Sequence, residues 1–553
     1  MADLIFYNGI IHTMAEDAAE TKVSAAAVSG NLIEAVGGDE EILKLAEEQC
    51  RMVDLRGKCL VPGFQDSHCH LLLTGLGFRN LDLRGVRSAE ELIEAGRAYI
   101  REHRIPEGTW ILGEGFDHNL FPDPVLPDIR VADAISTCHP ILIQRVCGHV
   151  GTANTMAFSM AGFDAHTRFP GGVIDLDERG EITGVLREAA LDQFKMRIPK
   201  PDIPTLKEAI TDAARHVNQY GVTSVHTDDL EGGSLEDIIR AYRELEREGR
   251  LNVRIWEEVQ AARPEVLRAF LDRGLRTGDG SDSFKIGNIK LILDGSLGAR
   301  TAGLRADYSD DPGNRGIFVY TQPELDEVVL AAHKAGMQVA CHAIGDGAVA
   351  QSVAAFEKAY RLDGKDLRNR VVHCQFADEE LIRRMAKSRI GADIQPGFVI
   401  SDYPLAASRM GEREKWGYRW KSLLEAGVPM GAGSDGPVES YNPILGIYHG
   451  VNRTDGETLP EDGWHSEEKL TAREALYLYT GGGSYLSFEE DRKGQIRSGF
   501  LADLAVLSED ILGVPPERIR DIKVEMTVLG GKVVYERASE KDCGIRKAVK
   551  GDE

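Results

Sequence analysis

Two histidines separated by one residue, His68 and His70, follow the short apolar run 59–62. In a β-strand residues i and i+2 face the same side, so both imidazoles can point at one position. Two neutral imidazoles that converge at a strand end can hold one divalent cation, with zinc as the usual ion. A His-x-His pair is also common on surfaces and in cores, so this assignment depends on ligands elsewhere in the chain.

Later apolar segments supply residues of the types that ligate metals. Taken singly, each has a structural alternative: a histidine can be a hydrogen-bonded core residue, Lys290 can pair with Asp294, and Asp435 can cap a helix or stand in a turn. Taken together, they occupy successive strand ends, which favours a shared metal centre. The four residues are Lys290, His342, His373 and Asp435.

Apolar strands alternate with amphipathic helices through the middle of the chain. The strand candidates are 60–66, 222–226, 253–259, 289–294, 338–343, 370–375, 391–395 and 429–434, and the helix candidates are 205–220, 235–248, 264–275, 322–335, 348–360, 379–388, 420–426 and 471–479. Eight such pairs predict an α/β fold of the (β/α)8 TIM-barrel type, with a doubly wound open sheet as the alternative. Functional groups of such a barrel lie at the carboxyl ends of its strands, so all six candidate ligands are expected at one mouth.

The two ends of the chain carry short strands joined by Asn-Gly and Gly-Gly turns. This pattern predicts a small β-sandwich domain formed by residues 1–60 and 490–540, around a barrel at 61–489. The spacing of the barrel strands is broken by a large insertion at 72–204, with strands of its own at 110–115 and 140–146, which we expect to cap the barrel mouth. The charged tail 541–553 is predicted to be disordered.

Composition narrows the class of protein. There are 65 basic and 89 acidic residues, a net charge of -24, which disfavours nucleic acid and membrane surfaces as partners. No apolar run reaches the length of about 20 residues that a membrane helix needs, and the N-terminus has no signal-like pattern. Eight scattered cysteines without a Cys-x-x-Cys pair predict reduced thiols in a cytoplasmic protein. Either a monomer or a homodimer fits this surface.

The segment from Pro62 to His70 resembles the first-strand signature of the amidohydrolase superfamily, whose members also build a β domain from both termini. Segment 290–302, with Leu-Asp-Gly-Ser-Leu-Gly-Ala-Arg-Thr-Ala, is similar to the branch called amidohydrolase family 3, which includes the N-substituted formamide deformylases. Further similarity to this branch lies in the segments 342–346, 433–435, 148–154 and 184–189.

The resemblance implies a metal-dependent hydrolase that cleaves a carbon–nitrogen bond, other than a peptide bond, in a small-molecule substrate. It implies that carbon dioxide carboxylates Lys290, which then bridges two divalent ions, expected to be zinc. A metal-activated hydroxide would be the nucleophile, and Asp435 the general base that passes a proton to the leaving nitrogen. The implied ligands are His68, His70 and Asp435 for one ion and His342 and His373 for the other; a single ion on His68, His70, His342 and Asp435 is the alternative.

Three polar residues in the family-like motifs, His149, Glu188 and Arg300, are candidate substrate contacts, with structural hydrogen bonds as the alternative. Cys69 should face away from the metal in a strand, and Val372 stands where many relatives carry an acidic residue. A mononuclear deaminase-type enzyme is a competing function, but it would not need Lys290. A non-catalytic barrel is the other alternative, although every expected ligand type is present.

Overall fold

The computed structural model describes residues 2–15, 23–229, 232–261, 264–457 and 460–538. The chain divides into two compact units, one made of residues 1–75 and 203–553 and the other of residues 76–202. The tail predicted to be disordered at 541–553 lies outside the described residues.

The larger unit contains an eight-stranded parallel sheet in which each strand pairs with the next one along the chain. After the last strand the backbone returns to the first, because the amide of Asp435 donates a hydrogen bond to the carbonyl of His68 over 2.8 Å. The sheet is therefore a nearly closed barrel, which confirms the predicted (β/α)8 type over the open sheet. Its strands are Phe64–Cys69, Val222–Thr227, Arg254–Gln260, Phe284–Ile292, Val339–Ala343, Arg370–His373, Gly391–Ile394 and Met430–Ala432.

Helices connect these strands, as the apolar periodicity predicts. Their starts carry local signals: Ser234 accepts a hydrogen bond from the Asp237 amide, and Thr321 forms a capping box with Glu324. The helices of this unit are Ile203–Asn218, Leu235–Arg247, Pro264–Leu271, Gln322–Lys334, Asp346–Asp363, Glu379–Lys387, Phe398–Met410, Trp420–Glu425, Pro443–Asn452, Ala472–Tyr477 and Gly483–Leu486, with a short one at Asp39–Ile42. Four of them were not predicted: Phe398–Met410, Pro443–Asn452, Gly483–Leu486 and the short helix Asp39–Ile42.

The first barrel strand differs from its prediction. The apolar run was expected to form one strand over 60–66, but the structure divides it into Cys59–Pro62, in a terminal sheet, and Phe64–Cys69, in the barrel. Gly63 lies at the division, where a Cβ atom would come within 2.3 Å of the Thr223 hydroxyl. This close approach lets the chain pass from one sheet to the other, and it places His68 within the barrel strand and His70 directly after it.

The termini form two further sheets. A four-stranded sheet contains Leu32–Gly37, Ala25–Ser29, Ala2–Tyr7 and Ala46–Asp54, in that order, and a five-stranded sheet contains Ile10–Ile11, Cys59–Pro62, Leu504–Leu507, Val524–Leu529 and Lys532–Glu536. One apolar cluster includes Leu4 and Phe6 from the first sheet with Leu60, Leu504 and Val528 from the second. Residues from both ends of the chain therefore share a core.

The smaller unit is built on a six-stranded mixed sheet. Its strands, in spatial order, are Gly172–Leu176, Ile182–Glu188, Val150–Ala153, Ile141–Arg145, Ile111–Phe116 and Leu81–Asp82, and its helices are Ala89–His103, Ile129–Ile135, Thr155–Ala161 and Ala189–Lys195. The helix Leu71–Gly77 runs across the boundary between the two units. Sequence patterns predicted two of these six strands. Among the described residues, no helix combines the length and the apolar character that crossing a membrane requires.

Candidate metal centre

His68, His70 and Asp435 meet at the carboxyl end of the barrel. One donor atom from each lies within 4.8 Å of the other two. The Asp435 Oδ1 atom is 3.2 Å from His70 Nε2 and 3.4 Å from His68 Nε2. The main chain of Asp435 has φ of +57°, a left-handed conformation that the hydrogen bond to the His68 carbonyl helps to hold. The structure thus brings Asp435 next to His68, although the two residues are 367 positions apart in the sequence.

A buried carboxylate from the first strand fixes the loop that carries Asp435. Asp66 Oδ1 accepts hydrogen bonds from the amides of Ser434, over 2.9 Å, and of His68, over 3.2 Å. Its Oδ2 accepts a third from the Ser434 hydroxyl over 2.5 Å. Burial raises the pKa of Asp66 to about 7, although these donors act against it. The hydrogen bonds join the first strand to the loop after the last, so the positions of His68 and Asp435 depend on each other.

Three of the site histidines have one ring nitrogen held by an acceptor. The Nδ1 atoms of His68 and His373 lie 2.8 Å from the side chains of Glu258 and Gln395, respectively. His70 Nδ1 lies 2.9 Å from the carbonyl of Asp228. Because each acceptor receives a hydrogen bond from a protonated Nδ1, the lone pair of the neutral ring is at Nε2. This tautomer suits a histidine that ligates a metal through Nε2.

His342 is held differently, through its Nε2 atom, which lies 3.4 Å from the Gly295 carbonyl. Its ring stands edge-on to that of His373, with ring centroids 4.5 Å apart, and the centroids of His373 and His68 are 5.7 Å apart. All four predicted histidines therefore belong to one cluster. The free nitrogen of His342 is Nδ1, so this residue would ligate through the other ring atom.

Electrostatics keep most of this cluster neutral. Burial lowers the pKa of His342 to about 4, with a further contribution from the Lys290 charge, and burial also lowers the pKa of His373 well below its usual value. Burial also lowers the pKa of His68, again with Lys290 acting in the same direction. Neutral imidazole is the form that ligates a metal, so these three rings need not lose a proton before they bind one.

His70 and Asp435 behave as a charged pair. Burial lowers the pKa of His70, but the hydrogen bond and charge of Asp435 raise it more, to about 9. Burial likewise raises the pKa of Asp435, and His70, His373 and His68 together bring it well below its usual range. Asp435 is therefore a carboxylate at neutral pH. A cation that bound between the two side chains would replace the proton they share.

Lys290 reaches into the same cluster from the fourth barrel strand. Its side chain is 2% exposed, and its Nζ atom lies 2.9 Å from His68 Nε2 and 3.5 Å from the Glu258 carboxylate. Asp294, the alternative partner considered from the sequence, instead accepts hydrogen bonds from the amides of Gly303, Ile344 and Gly345. The amine thus stands beside the candidate ligand nitrogen of His68.

Glu258 is a site residue that the sequence reasoning missed. It lies on the third strand, fully buried, between His68 Nδ1 at 2.8 Å, Arg370 Nη2 at 2.7 Å and Lys290. Burial raises its pKa, but the charges of Lys290, His68 and Arg370 bring it well below the usual range, so Glu258 is ionised. A signal was present in the sequence, because two adjacent glutamates stand within the predicted barrel strand 253–259, where buried charges are rare.

Each of the three predicted substrate contacts lies in an ion pair. His149 Nδ1 is 3.1 Å from Glu188 Oε2 within the smaller unit, and both side chains are more than half exposed. Arg300, in the larger unit, is 3.0 Å from Asp310. The structure thus brings His149 and Glu188 together, and it pairs Arg300 with Asp310, a carboxylate that also contacts Arg409. Cys69 is fully buried, as expected for a residue that packs.

The donor set fits a divalent transition metal. Imidazole nitrogens and one carboxylate are the ligands that zinc and its neighbours prefer, and the acceptors behind three of the rings are the usual partners of ligating histidines. His68, His70 and Asp435 provide three donors at one point, and His342 and His373 stand beside them. This arrangement can bind a cation and place a carboxylate next to it.

Comparison with known proteins gives matches over nearly the whole chain. A family model described as the amidohydrolase family matches residues 51–535. The chain is 33% identical over 539 residues to YtcJ of Bacillus subtilis (strain 168), provisionally described as an amidohydrolase, with 97% of this chain and 99% of that one covered. It is 26% identical over 557 residues to an N-substituted formamide deformylase of Arthrobacter pascens, again with 97% and 99% covered.

A solved structure gives a similar result. An uncharacterized metal-dependent hydrolase from Pyrococcus horikoshii OT3 superposes with a TM-score of 0.78 and 31% sequence identity. The superposition covers 93% of this chain and 99% of the other. The likeness therefore includes the barrel together with the terminal segments and the insertion.

Proposed function

The chain belongs to the amidohydrolase family, a family of metal-dependent hydrolases, and we propose that it hydrolyses a carbon–nitrogen bond other than a peptide bond in a small molecule. The observation that supports this most directly is the convergence of His68, His70 and Asp435 at the carboxyl end of the barrel. A histidine pair and an ionised carboxylate at this position are the parts that a metal-dependent hydrolase needs.

We assign His68, His70 and Asp435 to one ion and His342 and His373 to a second, with zinc as the expected metal. Lys290, carboxylated by carbon dioxide, would supply the anionic oxygens shared by both ions. The contact of 2.9 Å between Lys290 Nζ and His68 Nε2 supports this assignment, because it puts the amine beside a candidate ligand. A bound divalent cation supplies Lewis acidity, which polarises a carbonyl and lowers the pKa of water.

The protein's own groups carry the proton transfer. Asp435 is ionised and has its Oδ1 atom within 3.4 Å of both His68 and His70, so it can accept a proton from water at this point. It then delivers that proton to the leaving nitrogen as the carbon–nitrogen bond breaks. Water adds its oxygen to the carbonyl carbon, and the products are a carboxylate and an amine. The side chain is 10% exposed, so a substrate can reach it.

N-formyl and N-acyl amines are the substrates that we propose to test first. The N-substituted formamide deformylase of Arthrobacter pascens aligns with nearly the whole chain, which supports this class. His149, Glu188 and Arg300 are retained as proposed substrate contacts because of the motifs in which they occur.

The organisation around the barrel is also proposed. We place a composite β-sandwich at 1–60 and 490–540, the barrel at 61–489, and a cap at 72–204. The shared core of the two terminal sheets supports the first of these. Cytoplasmic location and a monomer or homodimer are further expectations from composition.

Replacing Lys290 with alanine tests the bridging role. Bound metal is measured by elemental analysis after loading with zinc, and turnover is measured on a panel of N-formyl and N-acyl amines. We expect Lys290→Ala to bind one ion fewer than the wild type, and its turnover to be lower by about a hundredfold or more. Lys358→Ala is the control, because Lys358 pairs with Asp326 at the surface.

Unchanged metal content and turnover in Lys290→Ala would contradict the bridge and favour the arrangement with one ion. A wild type that binds no divalent metal after loading, and hydrolyses no member of the panel, would contradict the proposed function as a whole.

A further inference from the structure

A second group of metal-ligating side chains lies in the five-stranded terminal sheet. One donor atom from each of His12, Cys59 and Asp510 lies within 4.8 Å of the other two. His12 directly follows the strand Ile10–Ile11, Cys59 begins the strand Cys59–Pro62, and Asp510 follows the strand Leu504–Leu507. The barrel centre uses none of these residues.

The pairing of the strands produces this group. Cys59 lies on a middle strand of the sheet, opposite Ile10 on one side and Leu507 on the other. His12 follows the strand Ile10–Ile11, and its amide donates a hydrogen bond to the Leu60 carbonyl over 3.0 Å. Asp510 begins a turn beyond the strand Leu504–Leu507, and its Oδ1 accepts a hydrogen bond from the Leu512 amide over 3.0 Å. The three side chains thus come from three adjacent strands at one end of the sheet.

The group has a buried and an exposed side. The Cys59 side chain is fully buried. His12 Nε2 and Asp510 Oδ1 are 2.6 Å apart, and their side chains are 19% and 26% exposed. Sulfur thus lies inside, and nitrogen and oxygen lie toward solvent, so an ion could enter from the surface and keep water as a further ligand.

A catalytic role for this cysteine does not fit the geometry. A nucleophilic cysteine must be a thiolate that a substrate can reach. Cys59 is fully buried, so a substrate cannot reach its sulfur. Ligation of a small cation, which would displace the thiol proton, is the chemistry that this position allows.

We propose that His12, Cys59 and Asp510 form a second metal site, for a divalent cation of the zinc or cobalt type, separate from the barrel centre. One sulfur, one imidazole nitrogen and one carboxylate oxygen are a donor set that selects such ions over magnesium or calcium. The site joins residues that are 498 positions apart, so a bound ion links the N-terminal segment to the C-terminal one. Its role would be to stabilise the terminal sheet.

Cobalt(II) alone is the probe for this site. The full-length protein is stripped with a chelator, loaded with cobalt and freed of unbound ion. A cobalt–thiolate bond gives a near-ultraviolet charge-transfer band that imidazole and carboxylate ligands do not give. We expect the band in the wild type, and we expect Cys59→Ser to lose both the band and one bound ion. Cys50→Ser is the matched control, because Cys50 lies outside the group, and it should keep the band.

A second variant keeps the test decisive if Cys59→Ser does not fold. Asp510→Asn preserves size and hydrogen bonding but removes a charged ligand, so titration of the band should show cobalt binding weaker by about tenfold or more. A wild type without the band, a band that persists in Cys59→Ser, or an Asp510→Asn titration equal to that of the wild type would overturn the proposal. Metal content of the barrel site does not affect this readout, because its proposed ligands contain no sulfur.

Discussion

Replacing Glu258 with glutamine isolates the effect of one buried charge on the metal centre. Glutamine has the same shape and can still accept the hydrogen bond from His68 Nδ1, which is 2.8 Å long. It cannot supply the negative charge that faces His68, Arg370 and Lys290. The substitution therefore leaves the packing in place and changes the electrostatics behind a candidate ligand.

These contacts set the loss of metal affinity or activity that we expect in Glu258→Gln. Removing a partner behind a ligating histidine costs about 10- to 100-fold in metal affinity or activity, which corresponds to about 1.4 to 2.7 kcal/mol. Two features of Glu258 favour the upper end of this range. It is fully buried, so solvent does not screen its charge, and among the described residues the fully buried Arg370 would keep only Asp393 as an anionic partner. We therefore expect zinc affinity or kcat/KM to fall by about 100-fold.

Metal affinity and hydrolysis give separate readouts for Glu258→Gln. Zinc affinity is measured by competition with a chelator, and kcat/KM is measured at saturating zinc. The control is Glu257→Gln, at the preceding residue, which faces the other side of the strand. Burial raises the pKa of Glu257 well above its usual value, so that substitution replaces one neutral group with another.

A Glu258→Gln protein that keeps both zinc affinity and kcat/KM within about twofold of the wild type would refute the reasoning, since a factor of two is only about 0.4 kcal/mol. An equal loss in Glu257→Gln would refute it as well, because the effect would then come from general disturbance of the strand.

Three further predictions concern other parts of the larger unit. Asp435→Asn removes the proposed proton acceptor and should lower kcat by about 100-fold or more, measured at saturating zinc; turnover above about a tenth of the wild-type value would contradict that role. Gly433→Ala places a Cβ atom 2.5 Å from the His68 amide and should lower the free energy of unfolding by about 1–3 kcal/mol in urea, whereas Gly298→Ala, which meets no atom within 4 Å, should not. Burial raises the pKa of Glu489, but the adjacent Lys493 and Lys285 bring it down to about 2, from an ordinary value of 4.5. The stability that this carboxylate contributes is therefore present above about pH 4.5 and lost as the pH falls toward 2. In chelator-treated protein the wild type should lose about 3 kcal/mol more than Glu489→Gln across this interval, and parallel pH profiles of the two proteins would contradict the assignment.

Much of the barrel could be predicted because its signals are local. Each strand is a short apolar run and each helix a run with a period near 3.6, and both patterns lie within a few neighbouring residues. The first strand was misplaced because an apolar run does not show which sheet it joins. That depends on Gly63 and its close approach to Thr223, a residue 160 positions away.

The sequence by itself determined the family, the barrel type and the residues of ligand type that close its strands: His68, His70, Lys290, His342, His373 and Asp435. Only the tertiary structure decided which atoms face one another. Three placements depend on the register between strands that are far apart in the chain: Glu258 behind His68, the amine of Lys290 beside that ring, and Cys59 near His12 and Asp510. A shift of one residue would turn each side chain to the opposite face of its sheet, and packing across the whole core, not the local pattern, fixes that register.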